Sequence, residues 1–213
     1  MKTDDLISML AKDAPPVDRR AYAMKAALAL LAAAALSFAV MVVWMSINPK
    51  LAALLGNLWF WVRFAFIASL AALTWWALSR LGKPGAARSV SLWPLVVPVL
   101  VLGVVGVWML IDAPADRRMP MILGVSWDVC SRNIAMLSIP LFLASIWVAR
   151  QFAPTRLRVT GAVLGFFSGA VGALIYSMHC PELSPSFLMI WYTLGMLIPA
   201  VIGALLGRRL LAW

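Results

Sequence analysis

The chain has 213 residues, of which 64% are hydrophobic and only 12% are charged. So few charged residues cannot cover a surface in water, and this composition excludes a soluble globular domain. The formal net charge of +10 does not predict nucleic-acid binding, because lysines and arginines also orient membrane helices; we expect no direct contact with nucleic acid.

Six apolar segments of about 20 residues follow one another along the chain. A hydrocarbon core of about 30 Å is crossed by about 20 helical residues, because each residue adds about 1.5 Å. We therefore predict an all-α, polytopic membrane protein with short loops, in which a tail (residues 1–25) precedes a six-helix transmembrane domain (residues 26–213). The predicted spans are 26–47, 58–78, 90–111, 130–149, 159–177 and 187–206.

The basic residues are distributed unequally between the two sets of connections. Five lie before the first span, eight lie in the connections and terminal segment on the same side, and four lie in the alternate connections, with Arg63 inside a span. The positive-inside rule then predicts that both termini are cytoplasmic in a bacterial inner membrane. It places the two cysteines at the outer face.

The N-terminal tail has the pattern of one short amphipathic helix. Thr3 can cap it, Asp4 and Asp5 carry the negative charge favoured in a first turn, and Leu6 and Leu10 share one face. A helix of about eight residues is marginal in water by itself. We therefore expect this tail either to remain a solvated leader or to fold against a partner protein.

A charged residue, Arg63, lies about one turn inside the outer end of the second span. A long side chain near a helix end usually extends to the lipid headgroups, so we expect the guanidinium of Arg63 to reach the membrane surface. Together with the prolines and glycines of the third span, this charge leaves a small six-helix transporter as an alternative function.

The two cysteines are predicted to lie at the same height in the membrane. Spans four and five form a helical hairpin centred near Pro154, with Cys130 24 residues before it and Cys180 26 residues after it. At about 1.5 Å per helical residue, the cysteines differ in height by about 3 Å. Both cysteines are therefore expected at one interface, where they can meet.

Span five also carries small residues at every fourth position. Such a ridge favours the close approach of a neighbouring helix, either within the chain or in a homodimer. The ridge consists of Gly161, Gly165, Gly169, Ala173 and Ser177.

Polar residues beside the cysteines indicate a reactive thiol site. Arg132 and Asn133 follow Cys130, and His179 precedes Cys180. Because positive charge near a thiol raises its reactivity, the sequence predicts a sensor formed by the two cysteines and supported by these three residues. The alternative interpretation is a static disulfide or a pair of inert cysteines.

The same residues have the ligand chemistry of a soft-metal site. Cys130, Cys180 and His179 would supply three ligands, and Asp128 or Glu182 a fourth. We expect no obligatory cofactor, but we do expect transient binding of a soft or heavy metal ion at the cysteine pair.

Four stretches of the sequence resemble the NrsF family: MKTDDLISMLAKDAPPV, WDVCSRNIAMLSIP, YSMHCPELSP and WYTLGMLIPAVIGALLG. Proteins of this family are bacterial six-span negative regulators, or anti-sigma factors, of extracytoplasmic-function sigma factors. The resemblance implies that a sigma factor is held at the inner surface and released by an outer signal. It also implies that heavy-metal or oxidative stress is sensed through Cys130 and Cys180.

On this resemblance, we expect the cytoplasmic tail to bind the sigma factor. Leu6 and Leu10 would be apolar anchors, and Asp4 and Asp5, in the turn capped by Thr3, would contact a basic sigma surface. A regulator of this kind is not an enzyme. The enzymatic alternative, a membrane thiol-disulfide oxidoreductase, normally needs a CxxC motif and a second cysteine pair, and the sequence has neither.

Overall fold

The computed structural model describes residues 3, 19–82, 90–152 and 154–212, which are mostly helical and include no β-strand. In chain order the helices are α1 (Arg19–Trp44), α2 (Leu51–Leu55), α3 (Leu58–Leu81), α4 (Val96–Asp112), α5 (Ala115–Leu123), α6 (Trp127–Leu137), α7 (Ile139–Ala149), α8 (Leu157–Tyr176), α9 (Pro185–Phe187) and α10 (Thr193–Leu210). A 3-10 turn, Trp93–Leu95, precedes α4, and a π-helical segment, Leu188–Tyr192, joins α9 to α10.

The prediction of six membrane-crossing helices is confirmed in number. Within the described ranges, six helical stretches are long and apolar enough to cross a bilayer: Arg20–Trp44, Leu58–Leu81, Trp93–Asp112, Ala115–Ala149, Leu157–Tyr176 and Pro185–Leu210. The all-α fold class is therefore confirmed for this part of the chain.

The fourth stretch begins earlier than predicted and is interrupted twice. Helix α5 already starts at Ala115, in a connection that was expected to be a short loop. It ends at Gly124, whose φ of +57° is a backbone conformation that favours glycine. Helices α6 and α7 meet at Ser138, because Pro140 has no N–H group to continue the hydrogen-bond ladder.

Helices α8 and α10 contact each other through their backbones. A Cβ atom added at Gly161 would collide with the Gly203 carbonyl, and one added at Gly165 would collide with the Pro199 carbonyl. Any side chain at these points would push the helices apart. The prediction that the small-residue ridge allows close helix approach is confirmed, and the neighbouring helix is α10 of the same chain.

The alternating helix directions give the bundle two distinct ends. The cysteine end contains Cys130, Cys180 and the first turns of α3. The opposite end contains the last turn of α10, where the Leu210 carbonyl accepts a hydrogen bond from Nε of Arg150 at 2.5 Å.

The largest hydrophobic core includes the cysteine end, whereas α1 and α4 are peripheral. In α1 and α4 many large apolar side chains are exposed, among them Val43 and Trp108. Helices α3, α6, α8 and α10 instead direct apolar side chains inwards. Residues of this core are Phe66, Ile67, Cys130, Ile134, Tyr176, Cys180, Phe187, Tyr192 and Met196.

Candidate functional site

The two cysteines meet at the cysteine end of the bundle. Cys130 lies in the first turn of α6, and Cys180 lies in the loop that follows α8, residues 177–184, here called the cysteine loop. Both are free thiols with 0% of their surface exposed, and the two side chains lie close enough to interact with each other. The prediction that the two thiols can meet is confirmed.

Several donors surround the sulfur of Cys180. The hydrogen bond from Cys130 lowers the pKa of the Cys180 thiol, and burial opposes this effect by disfavouring the charged form. The backbone N–H of Glu182 and the hydroxyls of Tyr192 and Ser126 lower the pKa further. The Ser126 oxygen is 3.8 Å from the sulfur. A negative charge that develops on Cys180 is therefore stabilised inside the protein.

The π-helical segment brings Tyr192 to the thiols. A π turn widens the helix and is frequent at functional sites. Here the carbonyl of Trp191 accepts a hydrogen bond from the Ser131 hydroxyl at 2.7 Å, which fixes the segment against α6. The fully buried Tyr192 side chain then faces Cys180, although its hydroxyl makes no well-directed hydrogen bond.

The expectation that Arg63 extends to the membrane surface is wrong. Its side chain is 0% exposed and points into the protein. Nη1 donates to the carbonyls of Cys180 (2.9 Å) and Glu182 (2.8 Å), and Nη2 donates to the carbonyl of Ser177 (2.7 Å). The ring of Phe60 covers the guanidinium carbon at 5.0 Å.

The end of α8 explains why Arg63 turns inwards. The last carbonyls of a helix lack intrahelical partners and carry partial negative charge, so they attract a nearby cation. Ser177 follows the last residue of α8, and its carbonyl is one of these acceptors. An arginine can satisfy several carbonyls at once because its donors form a planar fork.

The three residues predicted to support the sensor have different surroundings. Asn133 lies close to Tyr176, and Tyr176 in turn lies close to the Cys180 thiol. Arg132 is exposed and lines a surface groove with Trp127 and Asp128. The expectation that its charge acts on the thiols is therefore wrong. The positive charge near Cys130 is that of Arg63.

His179 also differs from its predicted role. Its Nδ1 lies 2.9 Å from the carbonyl oxygen of Ser46, and its half-buried ring packs against Tyr176 with 5.6 Å between the centroids. The imidazole therefore links the cysteine loop to the end of α1. This arrangement uses the nitrogen for a hydrogen bond within the protein.

The predicted three-ligand metal site is not assembled in the described part of the chain. No group of three or more His, Cys, Asp or Glu side chains in that part is placed to hold a metal ion. Glu182, a suggested fourth ligand, instead accepts a hydrogen bond from the Val125 N–H at 2.7 Å, and Asp128 is exposed. The cysteine pair alone has the sulfur chemistry that a soft metal prefers.

The predicted sigma-binding tail lies almost wholly outside the described residues. This applies to Asp4, Asp5, Leu6 and Leu10, whereas Thr3 is described and is exposed. Their assignment stays a prediction.

Sequence reasoning missed Arg63 and Tyr192 as neighbours of the thiols. A signal for Arg63 was available, because a charge within a membrane helix is a candidate functional residue. Tyr192 carried no comparable signal, since its approach to Cys180 depends on the π-helical turn.

Comparison with known proteins finds relatives that match the chain over its whole length. The profile of a family described as "NrsF: Negative regulator of sigma F" matches residues 10–213. A protein of Azospira oryzae named "Probable anti-sigma-F factor NrsF" is 40% identical over 213 residues, covering 100% of both chains. The "Anti-sigma-F factor NrsF" of Caulobacter vibrioides is 36% identical over 222 residues, again covering 100% of both chains. No solved structure matches the chain.

Proposed function

Because this chain belongs to the NrsF family, as its sequence motifs predicted, we propose that it is a membrane-bound anti-sigma factor. The observation that carries this proposal is its similarity, over the full length of both chains, to two proteins named as anti-sigma-F factors. Its partner in this proposal is a sigma factor of the extracytoplasmic-function class, which the protein holds at the membrane and away from RNA polymerase.

In this proposal the opposite end of the bundle faces the cytoplasm of a bacterial inner membrane. The unequal distribution of lysines and arginines supports this orientation. The exposed apolar side chains of α1 and α4, such as Leu31, Val43, Val104 and Trp108, then contact lipid. The cysteine end faces outwards and receives the signal.

The tail, residues 1–25, grips the sigma factor. Leu6 and Leu10 bind an apolar groove as neighbours on one helix face, and Asp4 and Asp5 contact a basic rim. Thr3 caps the helix as it folds on the partner. Because folding on binding costs conformational entropy, the net affinity is moderate and a change of a few kcal/mol can reverse the binding. Such an interaction suits an inhibitor that must release its sigma factor.

The cysteine pair senses oxidative or heavy-metal stress, and the contact between the two thiols supports this part of the proposal. With hydrogen peroxide, the Cys180 thiolate attacks one oxygen and displaces hydroxide, giving a sulfenic acid. The Cys130 sulfur then attacks that sulfur; a disulfide forms, and the thiol proton leaves with the hydroxyl group as water. A soft divalent metal ion instead binds the Cys180 thiolate and the Cys130 sulfur, and displaces the one thiol proton that the pair still holds.

Two alternative functions lose their motivation. A transporter was considered because of the charge of Arg63, but this guanidinium is occupied by three carbonyls of the cysteine loop. A thiol-disulfide oxidoreductase needs a second cysteine pair to be regenerated, and the sequence contains two cysteines. The ridge that suggested a homodimer packs on α10, and the proposal assigns no role to a second copy.

To test whether the protein binds a sigma factor, the full-length protein in detergent is used to capture a purified extracytoplasmic-function sigma factor. The unmodified protein should retain it, and Leu6→Asp with Leu10→Asp should weaken capture by at least about tenfold, because two apolar anchors become charged. Leu28→Ala, which stays apolar at an exposed position in α1, is a control outside the tail that should retain capture. Failure of the unmodified protein to retain the sigma factor would overturn the anti-sigma assignment.

The test of sensing is release of the captured sigma factor by peroxide or Cd²⁺. Cys130→Ser and Cys180→Ser should each capture the sigma factor normally and release none of it on treatment. If both variants release it like the unmodified protein, the thiols are not the sensor, although the anti-sigma assignment stands.

A further inference from the structure

Arg63 carries a full positive charge in a position from which water is excluded. Its side chain is 0% exposed, and its three hydrogen bonds all go to main-chain carbonyls of the cysteine loop. Its Nε–H has no acceptor in the described part of the chain. Burying a cation is costly unless the protein supplies close acceptors, so this arrangement persists only while the carbonyls stay in place.

The three carbonyls belong to residues before, at and after Cys180 in the sequence. Ser177 precedes it by three residues, Cys180 contributes its own carbonyl, and Glu182 follows by two residues. One planar group therefore determines the position of the whole segment that carries the sulfur. Arg63 is also close enough to Cys130 for its charge to act on that thiol.

Arg63 belongs to a helix that runs without interruption to the opposite end of the bundle. Helix α3 extends over 24 residues, from Leu58 to Leu81. Gly82 follows it and packs beside Phe152, because a Cβ added at Gly82 would lie 3.6 Å from the Phe152 side chain. The helix that carries Cys130 is instead interrupted at Ser138, before α7 begins. A displacement of the cysteine loop can therefore be transmitted along the uninterrupted helix α3 to the opposite end of the bundle.

We propose that Arg63 is the positioning residue of the cysteine pair: it holds residues 177–182 over Cys130 and links them to α3. The part of this inference that concerns signalling rests on the proposed function. A reaction at the thiols that moves the cysteine loop alters the Arg63 contacts and shifts α3, whose far end lies at the side where the sigma factor is held.

The first test measures thiol alkylation by N-ethylmaleimide in the full-length protein, with each site quantified by mass spectrometry. Arg63→Gln should raise the rate at Cys180 by at least about tenfold, because each hydrogen bond from a charged donor shifts an opening equilibrium by a factor of about 10 to 100. Arg63→Lys should give an intermediate rate, since it keeps the charge but not the planar fork. Arg132→Gln, an exposed arginine at the same end, should leave the rate unchanged.

A local role must be separated from general loosening of the fold. The thiol introduced by Ser145→Cys, at a buried position in α7, reports on the rest of the bundle when Cys130→Ser and Cys180→Ser are also present. Adding Arg63→Gln should leave its alkylation rate within about twofold. Faster alkylation at this thiol too would show that Arg63 only stabilises the fold, and an unchanged rate at Cys180 would equally overturn the proposal.

The second test uses sigma-factor capture without any inducing treatment. Arg63→Gln should retain at least about fivefold less sigma factor than Arg132→Gln, because loss of the link imitates the signalled state. If the unmodified protein captures no sigma factor, the proposed function fails while the alkylation result still decides the role of Arg63. If the unmodified protein captures the sigma factor and both arginine variants capture it equally, the proposed link through α3 is overturned, whereas the positioning role of Arg63 is not.

Discussion

The contact between α8 and α10 and the cysteine end are both tightly packed, but different forces hold them. The helix contact brings backbone against backbone, with glycines at the crossing points. The cysteine end buries two thiols and an arginine that depend on precisely placed donors and acceptors. Packing of the first kind leaves no space for an added side chain, whereas a hydrogen-bonded site can change with the charge of one sulfur. A rigid frame thus supports a region that can respond.

The largest expected effect is on the frame. Gly165→Ala should destabilise the protein by about 3 kcal/mol or prevent folding, because the new Cβ collides with the Pro199 carbonyl and neither backbone can move cheaply. Thermal unfolding in detergent measures this. Gly103→Ala is the matched control: its Cβ would meet the flexible Met189 side chain at 3.5 Å, so little change is expected. Equal effects at both glycines would contradict the comparison.

At the cysteine end, the next largest effect concerns the reactivity of Cys180 as a function of pH. Its lowered pKa means that the reactive thiolate persists below the pH at which an ordinary thiol is protonated. Cys130→Ala removes the main donor, so the midpoint of the alkylation rate should move to higher pH. At neutral pH the rate should fall by about twofold when the midpoint reaches the measuring pH, and by about tenfold for each further unit, because the thiolate fraction sets the rate.

A control for this pH profile is available at the C-terminal end of the helix that carries Cys130. Ser138→Ala removes a hydroxyl that bonds the Ala135 carbonyl at 2.6 Å, without contacting either thiol. Its profile should match that of the unmodified protein. A midpoint that stays constant in Cys130→Ala would mean that the hydrogen bond between the thiols does not control Cys180.

A smaller effect is expected at His179. His179→Ala should cost about 1 kcal/mol of stability, because it removes the hydrogen bond to Ser46 and the ring contact with Tyr176. Its Cd²⁺ affinity, measured by isothermal titration calorimetry, should stay within about twofold, whereas Cys180→Ser should abolish binding. A large loss of Cd²⁺ affinity in His179→Ala would restore the imidazole as a ligand.

The smallest effect is expected at Arg132. This side chain is exposed, so Arg132→Gln should change the free energy of unfolding by less than about 0.5 kcal/mol. Chemical denaturation in detergent checks this value. A larger loss would show that the exposed arginine stabilises the cysteine end and would weaken its contrast with Arg63.

Several features of the fold followed directly from local patterns. The six apolar stretches, the level of the two cysteines and the small-residue ridge depend on composition, helical rise and residue spacing, and each is present in the structure. The early start of the fourth stretch was missed, because α5 contains charged residues and an internal proline, which are typical of a loop.

The sequence by itself determined the class of protein, its family and which thiols would meet, because these depend on residues close in the chain or on counting along helices. Only the tertiary structure decided that Arg63 faces inwards, that Arg132 faces outwards and that His179 binds a carbonyl. The physical reason is that the direction of a polar side chain depends on the unpaired carbonyls that distant segments present to it. For Arg63 those carbonyls lie more than 110 residues away along the chain.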